Sequence, residues 1–112
     1  MTITFSDDIC ITNSIAKLEI SSPLLSVFRK ADYRLACFEA PINENNSKTF
    51  NKVGLTLPQH EDIAKISQLF THVTIANNNH NRLGDTGLKD TFEYLQESNI
   101  GYAGVGHTLK NA

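Results

Sequence analysis

Val73-Thr-Ile-Ala-Asn-Asn-Asn-His80, continued by Gly84-Asp-Thr-Gly-Leu88, is the stretch on which the reading of this chain turns. A short β-branched run reads as a strand. It stops at three asparagines and a histidine and passes through a glycine-punctuated turn. A helix then begins, expected over 87–98, with Leu88, Phe92 and Leu95 recurring on one face. In an open α/β sheet, ligands bind outside the carboxyl ends of the strands, where such a loop lies.

The flanking sequence repeats the strand-then-helix alternation. Downstream, Ile100-Gly-Tyr-Ala-Gly-Val105 reads as a last strand, and Gly106 to Ala112 begins a further segment. Upstream, Pro58 to Phe70 reads as a helix, because Ile63, Ile66, Leu69 and Phe70 recur at three and four. Before it lie a short extended segment, Lys52 to Leu57, and an Asn/Ser/Lys-rich surface loop, Asn43 to Asn51. Tyr33 to Phe38 reads as a strand ending at Glu39, and Pro41 forbids a regular ladder beyond it. Ser22-Pro23 reads as a helix start, with serine as cap, leading to Leu24, Leu25, Val27 and Phe28. Thr2 to Phe5 reads as the first strand and runs into Ser6-Asp7-Asp8; Ile9 to Thr12 either extends it or opens the next loop.

The order is therefore β-α-β-α-β-α-β in an α/β chain with a mostly parallel sheet, read as one domain over residues 1–112. Alternation of this kind predicts helices on both faces of the sheet. Parallel strands bring Asp8, Glu39 and the loop 77–80 to one sheet edge.

Bulk properties exclude several classes. Apolar residues make up 40% of the sequence, enough for a core, and the net charge is -2. The lysines and arginines are scattered, so no nucleic-acid footprint is expected. No run is long enough to cross a membrane, and no secretory signal is visible, so the chain as given reads as cytoplasmic. Cys10 and Cys37 lie in apolar company and are expected to be buried free thiols. Gly101-x-x-Gly104-x-Gly106 does not read as a nucleotide site, since its glycines fall within and after a strand rather than in a strand-to-helix turn.

Asp8, Glu39 and Asn78 or Asn79 offer oxygen donors suited to one or two divalent cations, and Mn, Zn and Fe also accept imidazole. Such ions activate water and clamp the oxygens of an in-line displacement at phosphorus, while a histidine such as His80 protonates the leaving oxygen. Each residue also has an ordinary role. An aspartate after a strand forms turns or caps helices, and asparagine runs tolerate left-handed backbone.

The same residues carry a resemblance. The chain resembles the N-terminal part of the bacterial capsule synthesis protein CapA family, also called PgsA or poly-γ-glutamate biosynthesis proteins, within the calcineurin-like metallophosphoesterases. The family's first strand ends in Gly-Asp, matched by Asp7-Asp8. Its Asn-Leu-Glu with a proline two residues on is matched by Cys37-Phe-Glu-Ala-Pro41, preceded by Asp32 at the family's aspartate. Lys52 to Leu57 resembles its Lys-x-Gly-Pro-x-Leu segment. Its Ala-Asn-Asn-His and Gly-Leu-x-x-Thr are matched by Ala76-Asn-Asn-Asn-His80 and Gly87-Leu-Lys-Asp-Thr91, and its closing Gly-x-Gly and alanine by Gly104-Val-Gly106 and Ala112.

The resemblance implies a partial metallophosphoesterase-like sandwich, with Asp8, Glu39, Asn78 and Asn79 toward metal and His80 as catalytic acid. It also implies a phosphoester or polymer-linked substrate, and a complementing C-terminal half or self-association to finish the fold. Family members are often membrane-anchored or extracytoplasmic. Three departures stand out. Asp7 replaces a glycine where the backbone is expected to need freedom, and Cys37 replaces an asparagine. The third motif aligns in two ways. Without a gap, Asn79 takes the histidine position and the acid is lost. With a one-residue shift, Asn79 and His80 form the Asn-His pair, and Arg82 meets an arginine that some members carry. An inactive α/β binding module is the alternative to an enzyme.

Overall fold

The backbone of Ile3–Ile9 forms a strand, β1, whose residues pair with a second strand, β2 (Tyr33–Phe38), in parallel. These elements belong to a computed structural model that describes residues 1–11, 13–39, 41–42, 60–79 and 84–106. The remaining elements are helix α1 (Ser22–Phe28), helix α2 (His60–Leu69), strand β3 (His72–Thr74), helix α3 (Gly84–Glu97) and strand β4 (Gly101–Ala103). The element order is the expected one. The expected segment Lys52 to Leu57, the loop before it, His80, Arg82, His107 and Ala112 lie outside the described residues.

The four strands lie in the order β1-β2-β3-β4, and all three pairings are parallel. Each crossover therefore steps the same way across the sheet. Crossovers of one hand that step one way put their helices on one face. The core agrees: Ile63 and Ile66 of α2 and Phe92 and Leu95 of α3 bury with Ala36, Phe38, Val73 and Ile75 of the sheet side. Phe28 of α1 packs on the same cluster, edge-on to Phe70, and Phe92 stacks on Tyr102 at 4.9 Å. The expectation of helices on both faces is thus corrected. Alternation cannot distinguish a sheet that reverses its winding direction from one that does not.

The opposite face carries Ile3, Phe5, Tyr33, Leu35, Cys37, His72, Thr74 and Ala103, which the register aligns across the strands. Among the described residues no element covers it, and Phe5 remains 74% exposed.

Local chemistry explains the element ends. Helix α1 starts one residue earlier than expected, with Ser21 as N-cap and Pro23 in the first turn, and the Ser21 side chain makes no capping bond. Helix α3 ends with Asn99 in the left-handed region at φ 55°. The Asn99 amide donates to the Gln96 carbonyl and the Ile100 amide to the Leu95 carbonyl, the paired bonds of a Schellman end, with Ile100 and Leu95 both buried. Gly104 needs its glycine, since it holds φ +97° and a side chain there would meet the Ala76 methyl.

Two buried polar residues tie loops to helices. Asp62 accepts bonds on one carboxylate oxygen from the Ser14 hydroxyl and the Ile15 and Ala16 amides, at 2.9, 2.7 and 3.0 Å. Thr91, fully buried, donates to the Gly87 carbonyl at 2.7 Å and accepts from the Ile42 amide at 2.9 Å. The Gly-Leu-x-x-Thr motif is therefore a clip that fixes the segment after β2 onto α3. Replacing Thr91 by valine keeps the shape but orphans a buried amide, so it is expected to lower unfolding free energy by about 2 kcal/mol in urea titration.

No helix among the described residues is long and apolar enough to cross a membrane.

Candidate metal centre at the sheet edge

The site begins with an irregularity in β1. Phe5 pairs with Leu35, but Asp8 pairs with Cys37, so β1 advances three residues while β2 advances two. This bulge at Ser6-Asp7 shifts the alternation by one. In a regular strand Asp7 would share a face with Cys37; here Asp8 does. Asp7 is accommodated without the left-handed backbone that a glycine would supply, since Asn99 is the only non-glycine at positive φ among the described residues. Asp7 lies in a bulge within a continuous strand, and the bulge presents Asp8 on the open face.

Cys37 and Glu39 follow from β2. Two residues apart on extended backbone, they point to the same side. Donor atoms of Asp8, Cys37 and Glu39 all lie within 4.8 Å of one another. The Cys37 thiol donates to Glu39 Oε1 at 3.1 Å.

The asparagine loop after β3 holds the other side of Glu39. Asn77 Nδ2 donates to the Phe38 carbonyl at 2.7 Å, which anchors the loop to the end of β2. Asn77 Oδ1 accepts the Asn79 amide at 2.9 Å, an Asx turn. Asn79 is thereby buried and aimed at Glu39, donating from Nδ2 to Oε2 at 2.7 Å. Asn78 is exposed and forms no hydrogen bond with Asp8 or Glu39. Of the residues expected toward metal, Asp8, Glu39 and Asn79 are brought together, and Asn78 is not. His80, the expected acid, lies outside the described residues.

The electrostatics favour a cation. Among the described residues neither Asp8 nor Glu39 joins an ion pair. Burial raises the Cys37 thiol above its ordinary pKa; the neighbouring Thr74 hydroxyl opposes this, and Glu39 and Asp8 add to it. Partial burial raises the Cys10 thiol too, with further upward pressure from Glu39, Asp8 and Asp7. Both thiols are free, as expected, but Cys10 is exposed and Cys37 only half-buried, against the expectation of burial. Cys10 follows the end of an edge strand, where no described element packs over it. With both thiols protonated at neutral pH, alkylation by iodoacetamide is expected to be slower than for free cysteine at pH 7.5 and to accelerate as pH rises past the ordinary thiol range. Equal rates at pH 7.5 would contradict the upward shift from burial and the nearby carboxylates.

Sequence reasoning passed over Cys37 as a donor, although its spacing from Glu39 on a strand already placed both on one face. The other histidines among the described residues, His60 and His72, are remote in role. His60 is exposed beside Glu97 at 3.9 Å, and His72 packs by Tyr33 and contacts the Thr71 hydroxyl at 3.0 Å.

A family model described as bacterial capsule synthesis protein PGA_cap matches residues 7–112. The capsule biosynthesis protein CapA of Bacillus anthracis is 26% identical over 87 residues, an alignment covering 74% of this chain and 21% of that protein. The chain thus spans about a fifth of the length of this curated relative.

Proposed function

The chain belongs to the bacterial capsule synthesis protein family, and from that premise we propose that it carries part of a divalent-metal, phosphoesterase-type site used in making a capsule or poly-γ-glutamate polymer. The observation that supports this most is the convergence of Asp8, Glu39 and Asn79 from three strand ends onto one open edge. Two carboxylates and an amide form a donor set that fits Mn, Zn or Fe, as one ion or two. A bound ion would lower the pKa of water and draw charge from a phosphoryl oxygen.

The chain's own residues have distinct parts in this reading. Glu39 is held on both oxygens, by Asn79 and by Cys37, so its direction is set before any ligand arrives. Asp8 is exposed and leaves the edge open to a phosphoester or polymer-linked substrate. His80, next to Asn79 in the chain, supplies the proton for the leaving oxygen. The apolar open face, with Ile3, Phe5 and Tyr33 exposed, suits a packing partner such as a second copy of the chain.

A second reading is an inactive binding module. Cys37 at an asparagine position and Asp7 at a glycine position favour it. Calorimetric titration with Mn2+ and Zn2+, with a chromogenic phosphodiester assayed on the same sample, separates the two. Binding with hydrolysis that disappears in His80→Ala supports the enzyme. Binding without hydrolysis supports the module, and absence of binding removes the metal from both.

A further inference from the structure

We infer that Cys37 is a metal ligand of the Asp8–Glu39 cluster, so that this chain's site has a sulfur donor and favours Zn2+ or Co2+ over Mn2+. The inference rests on the metal-site reading above and adds the donor that selects the ion.

Four observations carry it. Cys37 lies opposite Asp8 in the ladder and two residues before Glu39, which puts all three side chains on one face. Their donor atoms lie within 4.8 Å of one another. A tetrahedral zinc site with Zn–S about 2.3 Å and Zn–O about 2.0–2.2 Å separates its donors by roughly 3.5 Å. The Cys37–Glu39 contact at 3.1 Å is already inside that spacing, and Asp8, being exposed, is free to close the rest by rotation.

Thr74 supplies the third observation. It pairs with Cys37 across β2 and β3, which places a hydroxyl-bearing side chain beside the thiol on the same face. Outer-shell groups in such positions orient a ligand. The fourth concerns the bland alternative, a small apolar filler. Cys37 is half-buried on the face that no described element covers, and it stands beside two carboxylates rather than in an apolar pocket. Ligation requires the thiolate, so binding releases the thiol proton to solvent. Thiolate is a soft donor that suits Zn2+ and Co2+, whereas carboxylate and amide oxygens suit Mn2+.

The test uses the full chain in a Cys10→Ser background, so that one thiol remains. Titration with Co2+ is expected to give a near-ultraviolet sulfur-to-metal charge-transfer band that saturates at the binding stoichiometry and vanishes in Cys37→Asn. Zn2+ affinity should fall about 100-fold or more in Cys37→Asn, since even an outer-shell partner is worth about 10–100-fold. Mn2+ affinity should change little, because asparagine restores an oxygen donor.

Saturable Mn2+ and Co2+ binding with no charge-transfer band overturns the sulfur ligand and leaves the metal-site reading standing. No saturable binding of any of the three ions overturns both. If Cys37→Asn loses its native circular dichroism, alkylation of the parent decides instead: Zn2+ should protect Cys37 from iodoacetamide, and undiminished labelling overturns the inference.

Discussion

Replacing Asp62 by alanine is expected to destabilise the chain by about 3 kcal/mol, read as a lower urea midpoint with an unchanged slope. One carboxylate oxygen of Asp62 accepts three bonds from the Ser14–Ala16 segment. Bonds to a charged acceptor are worth about 1.5–3 kcal/mol each. The segment is only part-buried, so water recovers some of that on mutation, and the sum is not additive. What remains is a large share of the roughly 5–15 kcal/mol that holds a domain of this size together. Asp62 also lies in the first turn of α2 with Glu61, where negative charge meets the positive end of the helix. Asp62→Asn keeps an oxygen at the same place and is expected to cost about half as much. An alanine variant as stable as the parent would show that the 14–16 segment is held by other contacts.

Replacing Glu39 by alanine is expected to remove metal affinity by at least 100-fold while leaving the fold intact; an outer-shell loss alone costs about 10–100-fold. Glu39 is the residue on which the cluster converges, bonded to both Cys37 and Asn79. Its loss leaves Asn79 Nδ2 without that acceptor, at about 1 kcal/mol. It also removes one carboxylate from a site where Asp8 stands close by, which offsets part of that cost. Stability and binding should therefore separate. Asn79→Ala should lie between, weakening binding about 10–100-fold by removing an amide oxygen donor and freeing Glu39 to turn. Unchanged affinity in Glu39→Ala would place any ion elsewhere on the chain.

The strands and helices were legible because each carries its own local signal. Tyr33–Phe38 emerged with both ends as expected, bounded by Asp32 and Pro41. The gathering of Asp8, Glu39 and Asn79 was also legible, because parallel strands must end on one edge. Three features were not. The bulge that turns Asp8 onto the open face depends on register, which Ser6-Asp7-Asp8 does not encode in its own residue types. The single-faced placement of the helices depends on strand order, a non-local property. Asp62 reads from sequence as an ordinary first-turn acid, and its burial arises only when a loop 46 to 48 residues away docks on it.

Asn79 shows the same limit from the other side. Three consecutive asparagines look alike in sequence, but Asn77 turns the backbone, Asn78 faces solvent and Asn79 holds Glu39. The two alignments of this loop differ over whether Asn79 takes the asparagine or the histidine position; the structure brings Asn79 to Glu39, and His80 lies outside the described residues.

The central claim is that Asp8, Glu39 and Asn79 form a divalent-cation site. Isothermal titration of the parent chain with Mn2+ and with Zn2+, run beside Glu39→Ala under the same conditions, tests it most directly. Saturable binding at one or two ions per chain, absent in Glu39→Ala, is the predicted result. A parent chain with no saturable heat for either ion, or a variant that binds as well as the parent, would contradict it.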